Sequence, residues 1–460
     1  FCLVAFPFCA CLIISTFQPS RLHQFVHFGH TEGREGRSQV HRVNFKSIKT
    51  MTVAPVQTNN GASLKDLLLD PTDEQGISTV VNWSAVACRL RTHAHEAAAY
   101  ERGCVSPLQY VLSKRTVPPP AAVVRQILMC YPRAAEDQDG DGSSALYYAC
   151  YYNQSHDVVK VLLEFNKFAA CQVNAYGILP LHVARTAPVA RLLLSTHPEG
   201  LNVRSNWSSL PLHYAASMAD TEPDVVRLFV EEGCRLGMGG RNKGGGLFSK
   251  GSSGKLPHER VSERIASSAA KSKQDKDGSL VDRNDCKRYC DKLIILIKMM
   301  QAKTHEFSPP QRFSKGGNIL HAMIELGCPS VSIEYALKKN PVLAMSRNDM
   351  GQLPLAIAAS RNNSKEVIRI LLDSSLGLNR TAAYADSAGR LPLHLAAEKG
   401  IDFDDGMSDL LKAEPRVLES RNAKDGMLPF MLAASSEYGT IDCVFNLIRC
   451  APTIATPLTI

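Results

Sequence analysis

One arrangement of apolar and polar positions recurs along this chain at intervals of about 35 residues. A segment with Gly or Asp is followed by Leu-Pro-Leu-His or a close variant, as in residues 391–394. An Ala-rich stretch comes next, and then a stretch with apolar residues at i, i+3 and i+4, as in residues 367–372. This order predicts a tight hairpin, a short helix and a longer amphipathic helix in each unit. One such unit cannot bury its apolar faces alone, so we expect the units to stack.

Eight copies of the four-residue pattern are present, at residues 106–109, 144–147, 179–182, 210–213, 318–321, 353–356, 391–394 and 428–431. Neighbouring copies lie 31 to 38 residues apart, except for an interval of 108 residues between Leu212 and Leu320. Where Pro is present, it falls at the first helical position, where its missing N–H costs no hydrogen bond. A fixed period of this size is typical of a solenoid.

In three of the copies, the final His is followed by an apolar or aromatic residue and an Ala, at residues 182–184, 213–215 and 394–396. With the Leu-Pro-Leu before them, they resemble ankyrin repeats, which contain about 33 residues around a Thr-Pro-Leu-His-x-Ala pattern. This chain has Leu at the position that is usually Thr, as at Leu179 and Leu391. A Thr hydroxyl would cap the short helix and Leu cannot, so we expect a less rigid junction between hairpin and helix. The resemblance implies an all-α ankyrin repeat solenoid of helix pairs with hairpin loops, with about eight clear repeats and one degenerate repeat.

On this basis we divide the chain into a disordered or non-native N-terminal segment (1–78), a first block of ankyrin repeats (79–236), a basic Gly/Ser/Lys-rich insertion with a degenerate repeat (237–310) and a second block (311–460). Within the insertion, residues 254–258 resemble the repeat pattern, and residues 285–303 are expected to form an outer helix. The stretches 237–254 and 262–282 are rich in Gly or in Ser, Lys and Asp, and we expect them to form a disordered loop.

The two ends of the chain are both apolar. Residues 1–20 carry no charge and lack the basic residues that begin a signal peptide, and the first Met is Met51. Three interpretations stay open: a non-native segment with Met51 as the true start, a truncated signal or membrane anchor, and an ordinary hydrophobic N-terminus. We expect the apolar residues 451–460 to mark a truncated end or one that another element covers.

The net charge of +8 is concentrated in two segments. Residues 1–50 carry +4 and residues 235–292 carry +7, so the rest of the chain carries −3. A nucleic-acid-binding fold would spread basic charge over one structured face, so we do not expect a nucleic-acid partner. The 14 cysteines include no Cys-x-x-Cys pair and are scattered, as is typical of buried thiols in a reducing compartment. We therefore predict a location in the cytoplasm, with the nucleus as the other option.

The candidate catalytic and metal motifs have simpler interpretations. Residues 137–142 begin like a calcium loop, but Tyr148 stands where that loop needs Glu. The Gly-rich segment is no phosphate loop, because Leu256 follows the Gly-Lys pair. Four His recur once per unit, too far apart to share a metal, and each is expected to brace its own hairpin (His182, His213, His321 and His394). We therefore expect no enzyme, no cofactor, no metal and no small-molecule substrate.

In ankyrin repeat proteins, partners bind a concave face built from the hairpin tips and the exposed ends of the short helices. Carried over by alignment on the Pro, this predicts seven partner-binding residues: Tyr151, Tyr152, Tyr176, Trp207, Met218, Met350 and Arg361. Tyr and Trp are enriched in binding hot spots. The alternative is that these rings only pack between neighbouring hairpins and stiffen the stack.

The sequence thus predicts a non-enzymatic scaffold or adaptor that binds a protein partner of unknown identity on its concave face. One alternative is a membrane-anchored ankyrin protein tethered through residues 1–20. Another is a binder of nucleic acid or an anionic surface that uses the basic insertion, whose binding would depend strongly on salt.

Overall fold

The computed structural model describes residues 63–68, 81–99, 104–114, 117–238, 244–251, 253–274, 280–303, 313–361, 365–373 and 379–451. The chain separates into two units, Phe1–Gln57 and Thr58–Ile460, and every described residue lies in the second. The described residues are helical apart from loops and one isolated bridge between Gln138 and Ser144. The all-α prediction is therefore confirmed.

The α-helices follow one another in pairs along most of the chain. They are α1 (Leu64–Leu68), α2 (Trp83–Thr92), α3 (Pro107–Leu112), α4 (Ala121–Cys130), α5 (Ala145–Tyr151), α6 (His156–Phe165), α7 (Ala187–Thr196), α8 (Pro211–Ser217), α9 (Pro223–Arg235), α10 (Pro257–Gln274), α11 (Leu280–Lys303), α12 (Ile319–Glu325), α13 (Ser330–Lys339), α14 (Pro354–Ser360), α15 (Lys365–Leu371), α16 (Pro392–Glu398), α17 (Met407–Ala413), α18 (Pro429–Ser435) and α19 (Ile441–Cys450). Short 3₁₀ turns link many of them, and the short helix after Leu179 is itself a 3₁₀ turn, Pro180–Val183.

The helices stack in two rows with the core between them. Each short inner helix packs on the next inner helix, as α14 does on α16 and α16 on α18. The outer helices do the same, as α4 packs on α6. Small side chains allow this close approach, and Ala358, Ala359, Ala396 and Ala397 are fully buried. Stacking of units with a period near 35 residues is what the hydrophobic pattern predicts.

Most hairpins are organised by an Asn or Asp side chain at their base, whereas Ser205 takes this place in the hairpin that carries Trp207. The Asn174 Oδ1 accepts the backbone N–H groups of Tyr176 and Ile178, at 3.1 and 3.0 Å. The turn then needs a residue with positive φ, and Gly177 supplies it at +70°. A Cβ at this Gly would lie 2.7 Å from the side-chain oxygen of Asn206 in the next hairpin, so Gly is also required for close packing.

Each recurring His braces its own hairpin, as predicted. The Nδ1 of His213 accepts the backbone N–H of Leu210 at 3.1 Å, and its Nε2 lies 2.8 Å from the Ser249 carbonyl oxygen of the next unit. His321 and His394 make the same two kinds of contact. Burial lowers the pKa of His213 to about 4, so the ring is neutral near pH 7 and donates from Nε2.

The prediction that residues 237–254 and 262–282 form a disordered loop is wrong for residues 244–251, 262–274 and 280–282, which form turns and helices. Helix α10 spans 18 residues and buries Val261 and Ile265 completely, against α8 and α11. The Gly-rich segment also packs, and Leu247 is only 1% exposed. Gly245 lies close to α9, because a Cβ added to Gly233 of that helix would be 2.6 Å from the Gly245 Cα. Gly245 therefore provides close packing rather than flexibility.

Two helices occupy the region where the sequence predicts a degenerate repeat. Pro257 begins α10, and His258 is 3% exposed. Helix α11 covers the predicted outer helix at 285–303 and begins five residues earlier. Both helices are far longer than the seven-residue inner helix α8.

The N-terminal segment, which is predicted to be disordered or non-native, contains a helix at residues 64–68. Helix α1 packs against α2, with Leu64 and Leu68 only 2% and 3% exposed. The rest of residues 1–78, including the apolar residues 1–20 and Met51, lies outside the described residues, as do residues 452–460. Within the parts of the chain that are described, no helix is long and apolar enough to cross a membrane.

Candidate functional site

Two aromatic rings stack on each other at the tips of adjacent hairpins. The ring centroids of Tyr176 and Trp207 are 5.7 Å apart, and the ring planes differ by only 13°. The Tyr176 hydroxyl lies 3.4 Å from the Asp141 carboxylate of the preceding tip. Both rings are half-buried, so each retains a solvent-exposed part.

Main-chain hydrogen bonds fix these tips to each other. The backbone N–H of Ala175 donates to the Asp141 carbonyl at 2.8 Å, and that of Asn206 donates to the Tyr176 carbonyl at 2.9 Å. The Asn206 side-chain amide adds a bond to the Ala175 carbonyl at 2.9 Å. We name the surface formed by Asp141, Tyr176 and Trp207 the aromatic tip.

The residue after Trp207 has an unfavourable backbone conformation. Ser208 has φ of +54° at the hairpin position where other units have Gly, such as Gly177 and Gly351. A left-handed conformation is costly for a residue with a Cβ. The Arg204 guanidinium stabilises this turn by donating to the Ser208 carbonyl at 2.5 Å and to the Lys250 carbonyl at 3.1 Å.

Tyr151 and Tyr152 belong to a second aromatic cluster on and directly after α5. Tyr151 stacks on Tyr147 and Tyr152 on Tyr148, both with centroids 5.9 Å apart. The guanidinium of Arg185 lies 5.5 Å from the Tyr151 ring. These contacts leave both predicted residues half-buried.

Asp139, beside these clusters, uses both of its carboxylate oxygens within its own repeat unit. Its Oδ1 accepts the backbone N–H groups of Asp141 and Ser143, at 3.0 and 2.8 Å. Its Oδ2 accepts the Tyr148 hydroxyl at 2.7 Å, and burial together with this bond raises the pKa of Tyr148 strongly. The calcium-like spacing of residues 137–142 is therefore explained by the hydrogen bonds of the hairpin.

The other three predicted residues lie apart from the aromatic tip. Met218 directly follows α8 and is half-buried, and its carbonyl accepts a hydrogen bond from the Lys292 ammonium. Met350 is 54% exposed at the tip before α14, and Arg361 caps another unit by donating to the Glu325 carbonyl at 2.9 Å. The structure therefore brings Tyr176 and Trp207 together, but places Met350 and Arg361 beyond the insertion.

The predicted set missed residues that contact it. The run of aromatic residues in α5 indicated Tyr147 and Tyr148. Arg185 contacts the Tyr151 ring, and Lys292 contacts the Met218 carbonyl, each from a distant position in the chain. Lys292 is fully buried and also donates to the Ala215 carbonyl at 3.0 Å. Burial lowers its pKa to about 7. No sequence pattern indicated these long-range contacts.

Nothing in the described part of the chain assembles a metal site: no group of three or more His, Cys, Asp or Glu could hold an ion there. A cleft of about 390 Å³ lies between α9, α11 and α13. It is lined by charges of both signs and by apolar groups such as Ile294 and Met299. The aromatic tip, which offers exposed rings on a fixed backbone, is the better candidate for binding.

Comparison with known proteins identifies the repeat. Residues 120–204 match the family model of ankyrin repeats in three copies. Among solved structures, the crystal structure of the ankyrin repeat domain of Bcl-3, described as a unique member of the IkappaB protein family, is similar over 59% of this chain and 99% of that chain, at 19% identity and a TM-score of 0.30. No curated protein matches the chain. Three matched repeats, together with described residues that form stacked helix pairs, show that this chain contains ankyrin repeats in an all-α solenoid fold.

Proposed function

We propose that this protein is a non-enzymatic scaffold or adaptor that binds a protein partner through its hairpin-tip face, centred on the aromatic tip. Ankyrin repeats are in general protein-interaction modules and typically lack enzymatic activity. The observation that carries the proposal is the stacked, half-exposed pair of Tyr176 and Trp207.

The rings are ordered before any partner arrives. Each packs on the other, and the tips that carry them are joined by main-chain hydrogen bonds. Little side-chain entropy therefore remains to be lost on binding, which is a condition for a strong hot spot. The unfavourable φ of Ser208 supports the same interpretation, because local strain tends to occur at functional sites.

The charge beside the rings indicates what the partner presents. Asp141 is exposed and lies next to Tyr176. Arg stacks on aromatic faces and pairs with carboxylates, so a partner segment with an Arg beside an apolar side chain fits this surface. Tyr151, Tyr152, Met218, Met350 and Arg361 are proposed as further contacts along the same face.

Free thiols support an intracellular location. All 11 described cysteines are free, including buried ones such as Cys150 and Cys443. Disulfides are rare in reducing compartments. We propose the cytoplasm, with the nucleus as the other option.

The test is quantitative affinity capture from native lysate with residues 58–460. Wild-type protein is compared with the double variant Tyr176→Ala/Trp207→Ala and with Phe168→Ala. Phe168 is 78% exposed in the 3₁₀ turn Lys167–Cys171, away from the tips, and serves as the matched control. We expect a partner that wild type and Phe168→Ala retain and the double variant loses, with Trp207→Ala alone costing about 2 kcal/mol of binding free energy.

Thermal stability separates binding from packing. Breaking the stack removes about 0.5–1.5 kcal/mol of ring interaction, so a small drop in melting temperature is expected for the double variant. A large drop with unchanged partner affinity would show that the rings only stiffen the stack. Equal capture by all three proteins would place the binding site elsewhere.

A further inference from the structure

Helix α19 exposes two large apolar side chains on a face that points away from the core. Ile441 is 88% exposed and Phe445 is 62% exposed. They are four residues apart, so they lie on the same face of the helix. Cys443 and Leu447 are buried on another face, where the Cys443 sulfur lies 3.5 Å from the Met407 sulfur of α17. Helix α19 is therefore apolar towards solvent as well as towards the core.

Most other outer helices carry a charge at the position of Phe445, which is the fifth residue of α19. The fifth residues of α4, α6, α7, α9, α13 and α15 are all charged, namely Arg125, Lys160, Arg191, Arg227, Glu334 and Arg369. Charged residues at solvent-facing helix positions are the usual arrangement in soluble proteins. An aromatic ring at this position of α19 thus departs from the pattern of the fold.

Stacking of a neighbouring repeat does not cover this face. Helix α6 has an outer helix on each side, α4 and α7. Its first and fifth residues, His156 and Lys160, are exposed nevertheless. These are the positions that Ile441 and Phe445 occupy in α19. The apolar face therefore requires an occupant of a different kind.

The charges beside this face are complementary to a second copy of themselves. Asp442 and Arg449 are exposed and seven residues apart, so both lie along the same edge of the face. They are about 10 Å apart along the helix axis, which is too far for an ion pair within one helix. When two copies of α19 pack antiparallel around Phe445, Asp442 of each copy lies opposite Arg449 of the other. Two ion pairs then flank the two Phe445 rings.

We infer that a second copy of this chain binds this face, in a two-fold symmetric dimer whose α19 helices pack antiparallel through Ile441 and Phe445. A two-fold interface uses the same patch on both subunits, and a self-complementary patch meets that condition. One ten-residue helix buries less than the about 800 Å² per partner of a standard interface, so the dimer is weak and depends on concentration. The dimer would present two aromatic tips to partners, a consequence that alone rests on the proposed function.

Sedimentation velocity of the full chain over the micromolar concentration range tests the pairing. We expect the average mass to rise from the 50.3 kDa of one chain towards twice that value. Phe445→Asp should weaken association by about 30-fold or more, the loss expected when a central aromatic contact is removed. Its melting temperature at low concentration should match that of the wild type, because the ring faces water in the single chain.

The matched control is Phe168→Asp, which changes another exposed aromatic residue, 78% exposed, and should leave association unchanged. A wild-type mass that stays at that of one chain throughout the range would overturn the proposal. Association of Phe445→Asp as tight as that of the wild type would also overturn it.

Charge reversal tests the antiparallel arrangement. Asp442→Arg places Arg opposite Arg in a homodimer, and Arg449→Asp places Asp opposite Asp. Each variant alone should therefore associate about tenfold more weakly than wild type, or weaker still. An equimolar mixture should regain association, because every flanking contact then joins an Arg to an Asp. A mixture that associates no better than its separate components would overturn the antiparallel pairing.

Hydrogen exchange distinguishes a second copy from other occupants. In a dimer, amides of residues 441–450 should exchange more slowly at high protein concentration than at low concentration. Protection that is independent of concentration and lost on removal of residues 452–460 would show that the chain covers this face itself. That result would overturn the proposal, as would concentration-independent exchange in the purified wild type.

Discussion

At the scale of single residues, the hairpins depend on a few atoms. In most units one carboxylate or amide oxygen at the base accepts two backbone N–H groups, as Asn174 does for Tyr176 and Ile178. In the hairpin that carries Trp207, the Ser205 hydroxyl accepts the backbone N–H of Ser209 instead. One residue then takes a positive φ, and it is Gly in most units but Ser208 at the aromatic tip. Strain at this site is therefore a property of one side chain and can be removed without touching Trp207.

Replacing Ser208 by Gly should raise the free energy of unfolding by about 0.5–1 kcal/mol. A left-handed non-Gly residue costs about 1–2 kcal/mol, and part of this gain is offset by the greater chain entropy of unfolded Gly. Urea denaturation measures the change. Gly177→Ala is the opposite control and should lower the free energy of unfolding, because the added Cβ would clash with Asn206 and residue 177 has a φ of +70°. A destabilised Ser208→Gly variant would contradict the argument.

At the scale of helices, most elements could be predicted because their signals are local. Pro at the first helical position, the Ala-rich inner helices and the i, i+3, i+4 pattern of α6 and α9 lie within short windows of sequence. The His at the fourth motif position also braces its hairpin locally, since its Nδ1 reaches a backbone N–H three residues earlier. The Leu that replaces Thr does not prevent this bond.

The insertion could not be predicted in the same way because its order depends on distant residues. Gly245 packs only because Gly233 on α9 also lacks a side chain, and Val261 and Ile265 are isolated apolar residues in a polar sequence. The aromatic tip shows the same limit. The sequence places Tyr176 and Trp207 at adjacent tips, but their stacking depends on how successive hairpins bond to each other.

The attachment of α11 to α8 predicts an unusual pH dependence. Burial lowers the pKa of Lys292 from 10.5 in the unfolded chain to about 7 in the fold. Between these values the unfolded chain binds the proton and the folded protein does not, so stability contributed at this site rises with pH. Relative to Lys292→Met, the free energy of unfolding of wild type should increase by about 1 kcal/mol per pH unit from about pH 7.5 to 9.5.

Denaturation of both proteins across this pH range is the measurement. Lys298→Met, on the same helix but exposed, is the matched control and should follow the wild-type slope. Parallel curves for wild type and Lys292→Met would show that the buried ammonium keeps its proton throughout.

At the scale of the second unit, the insertion continues the stack between the two repeat blocks. Helix α10 packs on α8, α11 packs on α9, and α11 also contacts α12 and α13. In a solenoid, stability is the sum of units and of the interfaces between neighbours. Helices α10 and α11 therefore supply both a unit and two interfaces.

Deleting residues 237–310 should destabilise the protein by about 3 kcal/mol or more and split one thermal transition into two. Differential scanning calorimetry measures both effects. The matched control replaces only residues 268–284, which include the far ends of α10 and α11, by a short Gly/Ser turn and should melt almost like wild type. A single unchanged transition in the full deletion would mean that the segment is a dispensable linker.

The hydrogen bonds between successive tips have a consequence for how this protein can change over evolutionary time. They join main-chain groups, such as the Ser387 N–H and the Met350 carbonyl at 3.0 Å. These bonds therefore do not depend on the side chain at most tip positions, where residues as small as Ala175 and as large as Trp207 occur. Mutation can rewrite the tip side chains while the backbone stays in place, so new recognition can arise by substitution without a new fold.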